Sequence, residues 1–338
     1  MSIYQSEESM VSISELQSYD HAAAYEAVRH VIPEVEWAMY AEDIEAIHRL
    51  KREQDAVILA HNYMTPEVFH GVADIRGDSL ALAREAEKVD AGTIVLAGVH
   101  FMAETAKLLN PSKRVLLPDL RSGCSLAESI TPQDIAQLRK EHPGAPVVTY
   151  VNTSAAVKAA SDICCTSGNA VQIIRSLGVD KVIMIPDQYL ARNIAALTGV
   201  EVVTHPGACE VHERFTPLDI VQIRQGHPGV TVLAHPECPP EVVAEADFAG
   251  STADMQRYVE TEHPASVALI TECSMSDNIA AEHPDLEFVR PCNLCPHMKR
   301  NTLGAIRTAL ETGGPEIDVD PAVAAPARRA IDRMLEVH

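Results

Sequence analysis

Residues 131–167, TPQDIAQLRKEHPGAPVVTYVNTSAAVKAASDICCTS, and residues 216–252, TPLDIVQIRQGHPGVTVLAHPECPPEVVAEADFAGST, align without a gap at an offset of 85 (216 − 131). Thr131 matches Thr216, His142 matches His227, Tyr150 matches His235, Asn152 matches Glu237, Asp162 matches Asp247 and Ser167 matches Thr252. A more diverged copy precedes them. It opens as AEDIEAIHRLKREQDAVILAHNY (41–63) and continues to GVADIRGDS (71–79), so that Asp74 and Ser79 keep the five-residue spacing of Asp162 to Ser167. His61 to Tyr63 then occupies the place of Tyr150 to Asn152 and of His235 to Glu237. An internal repeat this long dictates the architecture.

Within each copy, short apolar runs bounded by turn residues read as buried parallel strands. These are Val57–Ala60, Thr93–Ala97 and Arg114–Leu117, then Val147–Val151, Lys181–Ile185 and Glu201–Thr204, then Thr231–Ala234, Ser266–Thr271 and Glu287–Arg290. A short further strand precedes each of Ser79, Ser167 and Thr252. Helical patterns such as SLALAREAEK and NAVQIIRSLG separate them. Alternation of this kind gives the class α/β: three homologous α/β/α sandwich domains with small parallel sheets, in a pseudo-threefold arrangement around a central cavity. The expected divisions are a helical lead over 1–40, repeats over 41–130, 131–215 and 216–312, and a C-terminal segment, 313–338, whose helix (about Ala327 to Glu336) packs on the body.

The cysteines follow the same period. Cys124, Cys209 and Cys295 are 85 and 86 residues apart (209 − 124, 295 − 209), and each follows the last strand of its copy. Cys295 lies in RPCNLCPHMKRNTL (290–303), which reads as a loop running into a helix that begins near Met298. Three thiolates arriving from three domains do not fit a local zinc knuckle, whose ligands come in close pairs. A 4Fe–4S cluster with three Cys ligands leaves one iron open as a Lewis acid, which suits loss of water from a small hydroxy acid or keto compound. Cys164, Cys165, Cys238 and Cys273 read as small buried residues, and Cys292 as a neighbour the site does not need.

Composition narrows the rest. The 338 residues carry a net charge of −21, which disfavours a nucleic-acid or anionic-membrane surface. No apolar run is long enough to span a bilayer. The N-terminus lacks the basic and apolar regions of a signal peptide. Eight cysteines in such a chain point to a reducing compartment, the cytoplasm, and to metal or catalytic use instead of a disulfide scaffold. In open α/β sheets ligands sit beyond the carboxyl ends of the strands. There stand His61, Asn62 and Tyr63; Tyr150 and Asn152; and His235 and Glu237. Ser79, Ser167 and Thr252 open helices, where hydroxyls and backbone N–H groups suit a carboxylate or phosphate, or else serve as N-caps. His61 and His235 also fit the reading of satisfied core histidines; His142 and His227 lie at the wrong end of the sheet.

These motifs, AHNY, GDSLALA, YVNTSAAVKA, CTSGNA, HPGACEVHERF, AHPECP, GST and CPHMKRNTL, resemble those of the quinolinate synthases from about Ala41 to Met334. The resemblance implies three α/β/α domains around a 4Fe–4S cluster ligated by Cys124, Cys209 and Cys295, the last because it begins the family-like CPxMK. It implies condensation of iminosuccinate with dihydroxyacetone phosphate, releasing quinolinate, phosphate and two waters. The implied substrate contacts are His61, Ser79, Tyr150, Val151, Asn152, Ser167, His212, His235, Pro236, Glu237 and Thr252. Glu237 is expected to be the general acid/base with a carboxyl raised by burial, assisted by Tyr63, His61 and His235. A labile substrate also implies transient contact with an L-aspartate oxidase or dehydrogenase. Two departures stand out: Gly168 replaces a usual second serine, and RSGCSLAE around Cys124 is looser than the family pattern. The rival readings are a diphthamide-synthesis-type radical enzyme, which shares the architecture but needs a large opening, and a non-enzymatic iron–sulfur or zinc sensor.

Overall fold

The structure, a computed structural model, describes residues 21–337. The first 20 residues of the expected helical lead lie outside the described residues. The remainder of the lead forms His21–Val28 and the start of Glu34–Glu53, a single helix that runs on through residue 40.

Twelve strands form three four-stranded sheets, all parallel. Repeat 1 contributes β1 (Ala56–His61), β2 (Ile75–Gly77), β3 (Thr93–Ala97) and β4 (Arg114–Leu116). Repeat 2 contributes β5 (Val147–Tyr150), β6 (Ile163–Cys165), β7 (Lys181–Ile185) and β8 (Glu201–Thr204). Repeat 3 contributes β9 (Thr231–Ala234), β10 (Phe248–Ala249), β11 (Ser266–Ile270) and β12 (Glu287–Val289). The spatial orders are β2-β1-β3-β4, β6-β5-β7-β8 and β10-β9-β11-β12. The nine strands whose bounds the sequence gives, all but β2, β6 and β10, match the expectation to within one residue at either end. β1, β3 and β5 are buried at every position, as helices on both faces of a parallel sheet require.

The repeat extends to its helix signals. Each candidate ligand cysteine stands seven residues before a threonine N-cap: Thr131, Thr216 and Thr302 accept from the backbone N–H of Asp134, Ala305 and, in the middle case, Asp219. Thr131 and Thr216 complete reciprocal capping boxes with Asp134 and Asp219. The helix expected to begin near Met298 therefore starts at Leu303. Met298–Arg300 is a single 3-10 turn, because the chain must first turn away from Cys295 before Thr302 can cap. Gly313, with φ of 70°, ends that helix in the left-handed conformation that favours glycine. The last helix also starts earlier than expected, spanning Pro321–Leu335. Asp320 caps it and Pro321 suits its first turn; Pro326 is tolerated inside at the loss of one intrahelical bond. It packs on the Ala155–Ala159 helix and β6 of repeat 2, while Arg328 donates to the Leu108 and Leu109 carbonyls of repeat 1.

An aspartate marks the foot of each sheet. Asp74, Asp162 and Asp247 accept from the backbone N–H of Ile58, Val147 and Val232, at 2.7–2.8 Å. Each also takes a cation from the leading helix, Lys51, Arg139 and Arg224. Only the first pair is desolvated, with side-chain exposures of 5% and 8%. Burial pushes the Lys51 ammonium down and Asp74 pulls it back up. Removing one partner of a buried pair strands the other charge, so Asp74→Ala should cost about 3–5 kcal/mol. Asp247→Ala, where the pair is 37% and 41% exposed, should cost about 1–2 kcal/mol, mostly its backbone hydrogen bond. Urea unfolding of the two variants checks the order.

Candidate active site and metal centre

The first strand of each sheet lies at the point where the chain's crossovers leave in opposite directions, the position where α/β sheets open a crevice. Those three strand ends converge on one cavity. His61 and Tyr63 reach it from β1, Tyr150 and Asn152 from β5, and His235 and Glu237 from β9. Ser79, Ser167, Thr252 and His212 line the same space. Val151 and Pro236 do not: Val151 turns into the hydrophobic core, because alternate residues on an extended segment point to opposite sides.

Glu237 is the centre of the polar network and only 3% exposed. Its Oε2 lies 2.7 Å from His212 Nδ1 and 3.5 Å from His235 Nδ1. Asn152 Nδ2 donates to its Oε1 at 3.3 Å. The His212 and His235 rings stack with centroids 4.6 Å apart. His212 Nε2 is 2.9 Å from Thr271 Oγ1, which in turn lies 2.7 Å from the Tyr63 hydroxyl. The His61 ring meets Tyr63 edge to face at 4.7 Å. The chain of polar contacts Glu237–His212–Thr271–Tyr63 therefore joins all three repeats.

The expectation of a raised Glu237 carboxyl does not hold. Burial pushes it up, but His212 and His235, with hydrogen bonds from His212 and Tyr150, outweigh burial and hold it at about 2. Burial also pushes His235 down to about 3 and His61 down to about 4. His235 is thus neutral near pH 7, and the shorter contact to the Glu237 carboxylate is that of His212. Burial, then the Glu237 charge, lifts the phenols of Tyr63 and Tyr150 well above their ordinary range. At neutral pH Glu237 is thus an ionised carboxylate beside neutral His61 and His235 and the protonated phenols of Tyr63 and Tyr150.

Cys124, Cys209 and Cys295 line this cavity together. Each sulfur faces two backbone N–H groups, two and three residues further on: Leu126 and Ala127, Val211 and His212, His297 and Met298. Paired N–H donors of this kind stabilise thiolates. Burial opposes them, raising Cys124 to about 12 and the other two above their usual value. Three thiolates here require a positive partner, as a metal centre is, so the donor set fits an iron–sulfur cluster. Glycine at 123 helps Cys124 approach, since a Cβ there would lie 2.5 Å from the Glu128 carboxylate. Cys209, His212 and Glu237 form a second donor group, with ligand atoms within 4.8 Å of one another, that could hold a single metal ion.

Cys164, Cys165 and Cys238 are fully buried, as small core residues. Cys273 is not a plain core residue: it is disulfide-bonded to Cys292, which keeps Cys292 from serving as a ligand. The two lie 19 residues apart, on either side of β12, so no local motif signalled the pairing. Nor are Ser79, Ser167 and Thr252 helix N-caps. That role belongs to Asp78, Asn169 and Ser251, which leaves the three hydroxyls directed to the cavity. The Asn62 carboxamide donates to Thr252 Oγ1 at 2.9 Å. Gly168 abuts the Ser251 cap; a Cβ there would come within 3.2 Å of its Oγ.

Sequence reading missed Thr271 and Glu272, both fully buried. They follow β11, and the strand-end rule applied to that strand would have found them. The Glu272 carboxylate accepts from Cys295 N–H at 3.3 Å and pairs with Lys299 Nζ at 2.9 Å. Lys299 also donates to the Tyr63 carbonyl at 2.8 Å. His297 lines the cavity with Nε2 on Glu210 at 3.0 Å and no partner at Nδ1.

Among the described residues no helix is long and apolar enough to cross a membrane. Residues 45–336 match the family model described as Quinolinate synthetase A protein. A quinolinate synthase of Agrobacterium fabrum is 68% identical over 316 residues, 94% of this chain and 92% of the relative. One from Xylella fastidiosa is 70% identical over 295 residues, 87% of each, and one from Caulobacter vibrioides 56% identical over 320. With the residues of the cavity, these likenesses make the chain a member of the quinolinate synthase family, enzymes of NAD biosynthesis.

Proposed function

We propose that this chain condenses iminosuccinate with dihydroxyacetone phosphate, releasing quinolinate, phosphate and two waters, with a 4Fe–4S cluster held by Cys124, Cys209 and Cys295. The observation that carries the reading is one cysteine per repeat on a single cavity, each sulfur served by two backbone N–H groups. When bound, such a cluster supplies an open iron that acts as a Lewis acid on a substrate nitrogen, carboxylate or departing hydroxyl.

The protein's own groups do the rest. Ser79, Ser167 and Thr252 hold the carboxylates and phosphate, which answers how a chain of net charge −21 takes anions. Asn152 Oδ1, buried and without a partner, accepts from the substrate imine nitrogen. Glu237, already ionised, removes a proton as base and returns it as acid through His212. Tyr63 and His61 assist enol formation and ring closure, and His235 holds the Glu237 carboxylate in place. The reaction takes place in the cytoplasm, with the labile imine delivered by transient contact with an L-aspartate oxidase or dehydrogenase.

Anaerobically purified Cys124→Ala, Cys209→Ala and Cys295→Ala should each lose iron and visible absorbance, whereas Cys292→Ala retains both. Normal iron in the Cys295→Ala protein removes that ligand. Glu237→Gln should keep the iron while quinolinate formation falls by at least 100-fold, consistent with the usual loss of a general base. A rate within tenfold of the parent takes the role from Glu237.

A further inference from the structure

The three turns that carry Tyr63, Asn152 and Glu237 share a feature the reaction scheme does not use. In each, the carbonyls on either side of that residue are bridged by one buried donor. Asn278 Nδ2 donates to the Asn62 and Met64 carbonyls at 3.0 and 2.8 Å. Asn193 Nδ2 donates to the Pro236 and Cys238 carbonyls at 2.9 and 3.0 Å. Lys158 Nζ donates to the Val151 carbonyl at 2.8 Å and to that of Thr153. All three donors are buried, Lys158 completely.

The two asparagines occupy equivalent places. Asn193 lies six residues past Asp187, the N-cap of the Gln188–Thr198 helix, and Asn278 six past Glu272, the N-cap of Cys273–Glu282. Each reaches out of its own repeat into the next: repeat 2 clamps the turn of repeat 3, and repeat 3 clamps that of repeat 1. The same position in repeat 1, six past the N-cap Val99 of His100–Leu109, is Thr105. Its short hydroxyl donates back to the Phe101 carbonyl of its own helix at 2.8 Å. There the bridge comes instead from Lys158 of repeat 2, whose ammonium stands 5.4 Å from the centre of the Phe101 ring.

We infer that Asn193, Asn278 and Lys158 are positioning residues, one for each turn, that fix the aim of Glu237, Tyr63 and Asn152, the two asparagines from across a domain boundary and Lys158 from within its own repeat. The physical reason is that these carbonyls lie past the end of the strand ladder, where the sheet gives them no partner. A single planar carboxamide with two N–H groups locks both peptide planes, and with them the Cα–Cβ direction of the residue between. A displacement of about an ångström at a catalytic group is enough to cost 100-fold in rate. The inference rests on the proposed role of Glu237, and the Glu237→Gln measurement tests that role separately.

The test is Asn193→Ala, which removes both donors and favours its helix. Hydrogen exchange of the peptide covering 235–238 should become at least tenfold faster while that covering 61–64 is unchanged, and kcat should fall 10–100-fold with KM within threefold. A general loss of stability would instead speed exchange in both peptides and leave kcat per folded, iron-loaded enzyme intact; that result, or unchanged exchange at 235–238, overturns the inference. Should Asn193→Ala not fold, Asn278→Ala is read the same way with the two peptides interchanged. In repeat 2, Lys158→Met should lower kcat, and adding Thr105→Asn, which restores the symmetric donor, should recover at least tenfold of it. A folded double variant that recovers nothing overturns the equivalence on which the inference stands.

Discussion

A carboxylate with almost no access to water, Glu237, sits where three domains meet, and the rest of the molecule is arranged so that it can remain charged. Leaving such a group unpaired costs several kcal/mol. Its partners therefore have to be present whenever the protein is folded, and they come from elsewhere in the chain: His212 and Asn152 from the second repeat, with the Thr271 hydroxyl linking onward to Tyr63 of the first. The polar contacts of one side chain thus span all three sandwiches. The burial that makes those partners necessary also withholds protons from His235 and His61, against the pull of the Glu237 charge. The site begins with its base ready and its donors loaded.

The fold was legible because hydrophobic runs, turn residues and the repeat pointed the same way. The nine strands with expected bounds and the convergence of His61, Tyr63, Asn152, His235 and Glu237 follow from local signals multiplied by three. What escaped was whatever broke the repeat or depended on side chains meeting across it. Cys273 and Cys292 form a pair without any matching pair in the other copies. Thr271 has the mainly apolar content of β11 before it and reads as its last residue. The direction of the Glu237 shift was misjudged because burial is inferable from sequence, whereas a histidine 2.7 Å away from another repeat is not.

The symmetry is used unequally. At the turns after β1, β5 and β9 the backbone positions are equivalent, yet the side chains differ: His and Tyr, Tyr and Asn, His and Glu. A threefold scaffold supplies three strand ends and three N–H-lined sulfur sites, while the chemistry requires unlike groups on one small asymmetric substrate. The three cysteines are alike, as ligands of the proposed metal centre would be, whereas the strand-end residues differ from copy to copy. The aspartates under the sheets show the same logic in a structural role, preserved as Asp74, Asp162 and Asp247 while their cations changed from lysine to arginine.

The leading helices overlap the repeats. Helices Pro132–Glu141 and Pro217–Gly226 follow one cysteine and begin the next copy, and Leu303–Thr312 follows Cys295 in the same manner. Instead of opening a further copy among the described residues, it lies on Glu34–Glu53 and β3 of the first, its Arg307 paired with Asp43 at 3.0 Å. The end of the array thereby covers its beginning, and the linear polypeptide behaves as a ring. The first sandwich therefore borrows a covering helix from the far end of the array, and excising it alone would bare the flank of Glu34–Glu53 and β3 that Leu303–Thr312 covers.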